Sequence, residues 1–219
     1  MLATSMTQIT EQLCVYCGSA AGNTKDHVPP KAFFPKPRPS NLITVPSCPT
    51  CNQSASKDEE LFLATLLFSD AGVTTIGRQL WKEKMSRAYS RPQGIAKIIA
   101  RMLRQAHIRT PVGIYLGKRM ALDIDYDRLY RVVSKIVRGL YYYEYKEALG
   151  KDVEITCQWL NTHSTQATAH KHIEILPFAQ KSFPGVFSYR FSRVVEKPQR
   201  SEWAILFFNH TVFWAITYA

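Results

Sequence analysis

The apolar and polar residues that follow the first sixty positions alternate in a way that predicts both helices and strands. The segment "DEELFLATLLFSDAG" predicts an amphipathic helix with three acidic residues near its positive N-terminal end. An apolar stripe at helical spacing, a proline at one start and a glycine at one end predict further helices at 75–88, 92–106 and 125–149.

Strands are predicted on both sides of the last of these helices. Residues 112–125 alternate loosely and predict a strand or hairpin. Four later segments predict strands, and the last two form a hairpin around "NHT": "DVEITCQWL", "VFSYRFSRVV", "EWAILFFNH" and "TVFWAITYA". The expected fold class is α+β, with a small cysteine-rich head, residues 1–60, packed on a larger basic domain of helices and antiparallel strands, residues 61–219. The head is expected to pack on this body because glycine, proline and serine are too sparse for a long linker.

Composition restricts the class of protein. The chain has 219 residues, of which 46% are apolar, and this content disfavours global disorder. It contains no run of eighteen apolar residues and no secretory signal, so we expect a cytoplasmic protein without a membrane partner.

The charge is positive and unevenly distributed. The chain carries 28 basic and 17 acidic residues, a formal net charge of +11. Residues 1–60 contain five of each sign, so the whole surplus lies in the body. Such a surplus favours an anionic partner, with nucleic acid the leading candidate.

Four of the five cysteines have the spacing of a metal site. Cys14 and Cys17 form the knuckle "CVYC", and Cys48 and Cys51 form "CPTC" thirty residues later. Paired C-x-x-C knuckles predict a tetrahedral zinc site, and four thiolates leave no open position for catalysis. The alternative is a pair of redox dithiols or disulfides, which a reducing compartment disfavours. Cys157 lies in an apolar segment and is predicted to be a core residue.

Three polar sites lie between or beside the knuckles: the pair Asp26-His27, then Asn41, then Asn52 directly after the last cysteine. The pattern "CVYC…DHVPPK…NLITVPSCPTCN" resembles the HNH endonucleases, the ββα-metal nucleases, over about residues 12–60. The chemistry is consistent with that resemblance. Hydrolysis of a phosphodiester needs a base for the attacking water, which a histidine can supply, and a cation for the developing charge.

The resemblance implies a role for each of these residues. His27 would be the general base and Asp26 a ligand of the catalytic metal. Asn41 would fix the loop and the orientation of His27, and Asn52 would complete the metal site. Because Asn52 stands where many family members have histidine, the resemblance implies an H-N-N variant, and oxygen ligands favour Mg²⁺ or Mn²⁺ over Zn²⁺ at this second site. Taken singly, Asn41 could equally cap a turn and Asn52 a helix.

Basic residues near the pair are candidates for phosphate contacts, or for an ordinary solvated loop edge: Lys31, Lys36, Arg38 and Lys57. Many family members have a lysine three positions after the final His or Asn, where this chain has Ala55, so the expectation for Lys57 is weak. Phe33 and Phe34 are predicted to pack rather than to stack on bases. Three later histidines, His163, His170 and His172, lack the spacing of a second metal site.

The leading hypothesis is a metal-dependent HNH-type DNA endonuclease with a structural zinc, and duplex DNA is its expected substrate. The resemblance implies that its products carry a 5′-phosphate. Association alone suggests phage defence or a mobile element as its setting. The alternatives are a non-catalytic zinc ribbon that binds nucleic acid or protein, and an RNase or toxin that uses the same site. Whether the chain nicks or cuts both strands, and whether it is a monomer or a homodimer, stays open.

Overall fold

The head of the molecule is a β-hairpin followed by helices. The computed structural model describes residues 12–69, 72, 74–88, 95–160, 173–179 and 181–218. Strand β1 (Thr24–His27) pairs antiparallel with β2 (Thr44–Ser47), with Asp26 opposite Val45 and His27 opposite Thr44. Helix α1 (Pro49–Ser54) follows directly. Two strands and a helix thus follow one another in the head, and the predicted HNH module stays a prediction.

The body begins with helices and continues into a hairpin. These elements are α2 (Ser56–Phe68), α3 (Thr75–Ala88), α4 (Ile95–Met102), β3 (Leu103–Arg109) and β4 (Tyr115–Leu122). A helix was predicted at 92–106, but α4 ends at Met102, so the prediction is wrong for residues 103–106. Leu103–Arg109 is a strand because it pairs along its length with β4. The three histidines at 163, 170 and 172 lie outside the described residues.

Helix α5 (Tyr126–Tyr145) is the central element of the body. The Asp125 carboxylate accepts a hydrogen bond from the Arg128 backbone N–H at 3.1 Å and caps the helix at its start. The helix ends before the predicted Gly150, because Lys146 adopts the left-handed conformation that terminates it (φ +58°).

A four-stranded antiparallel sheet completes the body, in the spatial order β5–β8–β7–β6. Its strands are β5 (Glu154–Leu160), β6 (Phe187–Val194), β7 (Lys197–Phe207) and β8 (Thr211–Tyr218). The β7–β8 hairpin confirms the one expected at the chain's end. The mixed α+β class with antiparallel sheets is confirmed.

One hydrophobic core extends through the head and the body. The buried Phe33 ring stacks on Phe62 of α2 with ring centroids 5.5 Å apart, and Phe34 meets Phe183 edge-on at 5.0 Å. Both rings therefore pack, as predicted. Helix α2 runs through residue 60, and the division into two functional modules stays a prediction. Within the described residues, no helix is long and apolar enough to cross a membrane.

Candidate functional site

The four knuckle cysteines converge on one point. Their sulfur atoms all lie within 4.8 Å of one another, with Cys14 and Cys48 buried and Cys17 and Cys51 half-buried. A tetrahedral ion needs four thiolate sulfurs gathered in this way, so the cluster fits a structural metal such as zinc. Hydrogen bonds from Ser19 and the Ala20 backbone lower the pKa of Cys17, whereas burial raises the pKa of Cys51.

Local sequence explains how the knuckles form. The Gly18 N–H donates to the Cys14 carbonyl at 2.8 Å, and Gly18 takes a left-handed conformation (φ +60°), which is the tight turn expected after the first knuckle. The second knuckle is the first turn of α1: Cys48 is the N-cap, its sulfur accepts from the Cys51 N–H, and Pro49 occupies the first helical position.

Asn52 fastens α1 to strand β1. Its Nδ2 donates to Thr24 Oγ1 at 3.1 Å and to the Lys25 carbonyl at 3.4 Å. The side chain that the resemblance assigns to the catalytic metal thus holds the helix against the hairpin. Asn41 is exposed, and the described part of the chain offers its side chain no hydrogen-bond partner; its predicted role in orienting His27 stays a prediction.

Asp26 lies in a buried cluster of charges. Its side chain is 10% exposed, and its Oδ2 lies 2.8 Å from the Nζ atom of Lys135 on α5. The same Nζ lies 2.8 Å from Glu59 Oε1 on α2, so one ammonium bridges two carboxylates. Burial alone would lower the pKa of Lys135, but its hydrogen bonds to Asp26 and Glu59 outweigh that effect and the pKa is raised.

Burial also shifts the pKa values of the residues around Asp26 and Lys135. Desolvation raises the pKa of Glu59 despite the nearby Lys135. Burial raises the pKa of Tyr16 well above its ordinary value, and the Asp26 carboxylate adds to the effect. The Lys135 ammonium also lies over the Tyr16 ring, 5.4 Å from its centroid. We call Tyr16, Asp26, Glu59 and Lys135 the charge cluster.

His27 lies beside the charge cluster and is half-buried. It lines a narrow cleft together with Tyr16, Glu59 and Lys135. Desolvation lowers its pKa below 6.5, and the positive charges of Lys31 and Arg38 add to the shift although Asp26 opposes it. A neutral imidazole at neutral pH is the form that accepts a proton.

The predicted phosphate-contacting residues are all exposed but have different surroundings. The Arg38 Nε donates to the Lys31 carbonyl at 2.7 Å, so these two residues form one basic edge next to His27. The Lys36 backbone is instead fixed to α3 through Glu83 and Gln79. Lys57 lies on α2, and its carbonyl accepts from Arg128.

Asp26 and Asn52, as arranged, do not fit a Mg²⁺ or Mn²⁺ ion. The Asp26 Oδ2 faces the Lys135 ammonium, and its Oδ1 accepts the His27 N–H at 2.9 Å. The Asn52 amide is turned towards Thr24. A divalent ion would have to displace Lys135 from Asp26, and the predicted ion at these two residues stays a prediction.

Comparisons of the chain with known protein families, curated proteins and solved structures find no match. The resemblance to HNH endonucleases rests on the residues of the head.

Sequence reasoning missed two members of the charge cluster, Lys135 and Tyr16, and gave Glu59 only a position near a helix end. Lys135 is 109 positions from Asp26, so no local spacing links them. A weak signal exists, because Lys135 interrupts the apolar run between Val132 and Ile136, both of which are buried. Tyr16 carries no comparable signal, since an aromatic residue inside a knuckle has no fixed meaning.

A wider cleft of about 640 Å³ opens on the other side of Lys135, between α1 and α5. Tyr16, Cys51 and Arg131 contribute to its walls. Asp58 lies there too, and Arg131 and Arg128 hold it in ion pairs at 3.0 and 2.6 Å. Burial would raise the pKa of Asp58, but these arginines outweigh burial and hold the pKa below 3.8.

Proposed function

We propose that the chain is an HNH-type endonuclease that hydrolyses phosphodiester bonds of DNA, with His27 as the general base. The observation that supports this most is the placement of His27. It ends a strand that the cysteine cluster and Asn52 hold in place, its pKa is lowered, and Lys31 and Arg38 lie beside it. A base next to a positively charged edge is the arrangement that phosphodiester hydrolysis requires.

The proposed step uses the residues of the head. His27 takes a proton from water as the water oxygen attacks phosphorus. The bond from phosphorus to the 3′-oxygen breaks, the 3′-oxygen takes a proton from solvent, and the product keeps a 5′-phosphate. Lys31 and Arg38 offset the charge that develops on the phosphate oxygens. Because Asp26 and Asn52 as arranged do not fit a divalent ion, no step is assigned to one.

The cysteine cluster has a structural part in this proposal. Zinc held by the four thiolates would fix both knuckles, and the Val15 N–H donates to the Pro46 carbonyl at 3.1 Å, which joins the first knuckle to β2. The metal would therefore keep the hairpin that carries His27 in register.

A nicking assay tests the proposal. Supercoiled plasmid is incubated with the zinc-loaded chain without added metal, with Mg²⁺, with Mn²⁺ or with EDTA, and relaxed plasmid is measured. We expect nicking by the wild type, a loss of at least about 100-fold in His27→Ala, and no loss in His210→Ala, which removes a histidine from the β7–β8 turn. A chain that retains zinc yet nicks under none of these conditions refutes the nuclease.

One observation favours a second candidate, a non-catalytic zinc ribbon that binds nucleic acid. The Asp26 carboxylate is neutralised by Lys135 instead of facing solvent. Under this alternative the chain binds DNA and never cuts it, and His27→Ala leaves the DNA affinity unchanged. A competition between single-stranded RNA and duplex DNA in the same assay distinguishes the RNase alternative from the DNA endonuclease.

A further inference from the structure

The hairpin formed by β3 and β4 extends beyond the core. Its base is attached to the body: Leu103 and Leu122, which face each other, pack against the core, and the Asp123 N–H donates to the Met102 carbonyl at 2.7 Å. Beyond the base, large apolar side chains are exposed, among them Val112 at 83% and Ile114 at 62%. We call residues 103–122 the arm.

The arm is ordered despite its exposure. Across the tip, the Thr110 N–H donates to the Ile114 carbonyl at 2.9 Å, and the Ile114 N–H donates to the Thr110 hydroxyl at 3.0 Å. The Arg109 guanidinium donates to the Gly113 carbonyl at 3.1 Å and lies over the Tyr115 ring. Gly113 takes a positive φ of 91°, which a glycine permits without strain. These contacts give the tip a defined conformation.

An exposed ordered hairpin with an apolar tip needs a partner, because two strands alone are marginally stable and bare apolar edges promote association. The charge of the arm indicates which partner. It contains four basic residues and no acidic one: Arg104, Arg109, Lys118 and Arg119. A second copy of the chain would bring like charges together, whereas a polyanion is attracted.

The dimensions of the arm fit the major groove of duplex DNA. Two strands about 4.8 Å apart form a ribbon that enters a groove about 12 Å wide. The eight residues of β4 span about 27 Å at about 3.4 Å each. In a groove, cations on the strands meet phosphates while Val112 and Ile114 at the tip meet base edges and thymine methyl groups.

We propose that the arm is a DNA-binding β-ribbon that inserts into the major groove and holds duplex DNA for the head. This inference rests on the proposed function, since it names the form of nucleic acid presented to His27. It also predicts discrimination against duplex RNA, whose major groove is too deep and narrow for a ribbon.

The test measures binding by the full zinc-loaded chain carrying His27→Ala, so that cleavage does not interfere. Fluorescence anisotropy with a labelled 30-base-pair duplex is recorded from 50 to 200 mM salt. The arm variant is Arg109→Gln/Lys118→Gln/Arg119→Gln. It is expected to bind at least about 10-fold more weakly at 100 mM salt, with a salt slope shallower by about 2–3.

A matched control removes three charges from the body outside the arm, in Lys151→Gln/Lys197→Gln/Arg200→Gln. It should lose less than about threefold, because non-contacting cations contribute only long-range attraction. The arm inference is overturned if the arm variant binds within threefold of the parent, if it loses no more than the control, or if duplex RNA binds as tightly as duplex DNA.

A second variant guards against misfolding of the first. Val112→Ser/Ile114→Ser keeps every charge, and we expect about 3–10-fold weaker binding with an unchanged salt slope, since apolar contacts release no counterions. Sedimentation velocity on the same proteins tests whether a second copy of the chain covers the arm instead of DNA. A dimer that this variant dissociates without changing DNA affinity would make the arm an interface between copies and overturn the proposal.

These results distinguish a failure of the arm inference from a failure of the proposed nuclease function. Normal nicking by the arm variant with His27 intact, together with normal DNA affinity of the arm variant in the His27→Ala background, refutes the arm inference alone. An absence of nicking in every form, together with weaker DNA binding by the arm variant, refutes the nuclease and supports the arm.

Discussion

Replacing Lys135 with methionine should lower the free energy of unfolding by about 3–5 kcal/mol, because it leaves two carboxylates buried without their shared cation. The side chains of Asp26, Glu59 and Lys135 are 10%, 17% and 14% exposed. Each carboxylate oxygen lies 2.8 Å from the ammonium, which corresponds to an attraction of about 6 kcal/mol at an effective dielectric constant of about 20. Returning the ammonium to water on unfolding offsets most of this attraction.

Urea unfolding followed by tryptophan fluorescence measures the loss, with zinc present throughout. At a slope of about 2–3 kcal/mol per molar urea, the midpoint should fall by about 1–2 M. The double variant Lys135→Met/Glu59→Gln removes one of the two uncompensated charges and should recover part of the loss. Lys118→Met, on the exposed arm, is the matched control and should change stability by less than about 0.5 kcal/mol. A loss below about 1 kcal/mol in Lys135→Met, or no recovery in the double variant, would refute this account of the charge cluster.

The same variants test the predicted divalent ion without relying on catalysis. If Asp26 can bind Mg²⁺ once Lys135 is gone, Mg²⁺ at a hundred times its dissociation constant should stabilise Lys135→Met by about 2.7 kcal/mol, and the wild type less. Equal stabilisation of both proteins would mean that Lys135 does not exclude the ion. No effect on either protein would argue against a catalytic metal at Asp26.

Two further predictions concern the zinc cluster and pH. Cys48→Ser should reduce bound zinc from about one ion per chain to below about 0.1, measured by elemental analysis, and should lower the thermal midpoint; Cys157→Ser should retain the ion, and equal zinc in both variants would contradict the assigned ligands. The pKa of Asp58 is held below its ordinary 3.8, so its contribution to stability is present above that pH and is lost as the pH falls through the lowered pKa. Asp58→Asn should therefore be less stable than the wild type at pH 7, and the difference should shrink below about pH 4 in urea unfolding. A difference that does not change with pH would refute the assignment.

Much of the fold could be predicted because its signals are local. The apolar period of α5 and the alternation of β7 and β8 are each contained in a single element, and the helix and the β7–β8 hairpin were both predicted. The predicted end of α4 was wrong. The residues from Leu103 onward continue a helical pattern, but they form a strand because they pair with β4, which follows later in the chain. Pairing between segments overrides local periodicity there.

The candidate site also has one part that the sequence predicts and one part that it does not. The cysteine cluster was predictable, since a two-residue gap within each knuckle determines how its sulfurs face one ion. The partner of Asp26 was not predictable, because Lys135 reaches it only through the packing of α5 on α2 and the hairpin. A lysine at the edge of an apolar helical stripe usually extends into solvent, and only the two buried carboxylates make this position favourable.

The charge cluster also explains why the head depends on the body. Phe33, Phe34 and Val28 are at most 2% exposed, and they pack against residues from both sides of residue 60. Without α5, the carboxylate of Asp26 would lose its counter-ion next to His27, and these apolar side chains would face water. Zinc can hold the two knuckles together, but it cannot replace these contacts. The geometry proposed for catalysis at His27 is therefore a property of the whole chain, and the experiments on His27 need both the head and the body.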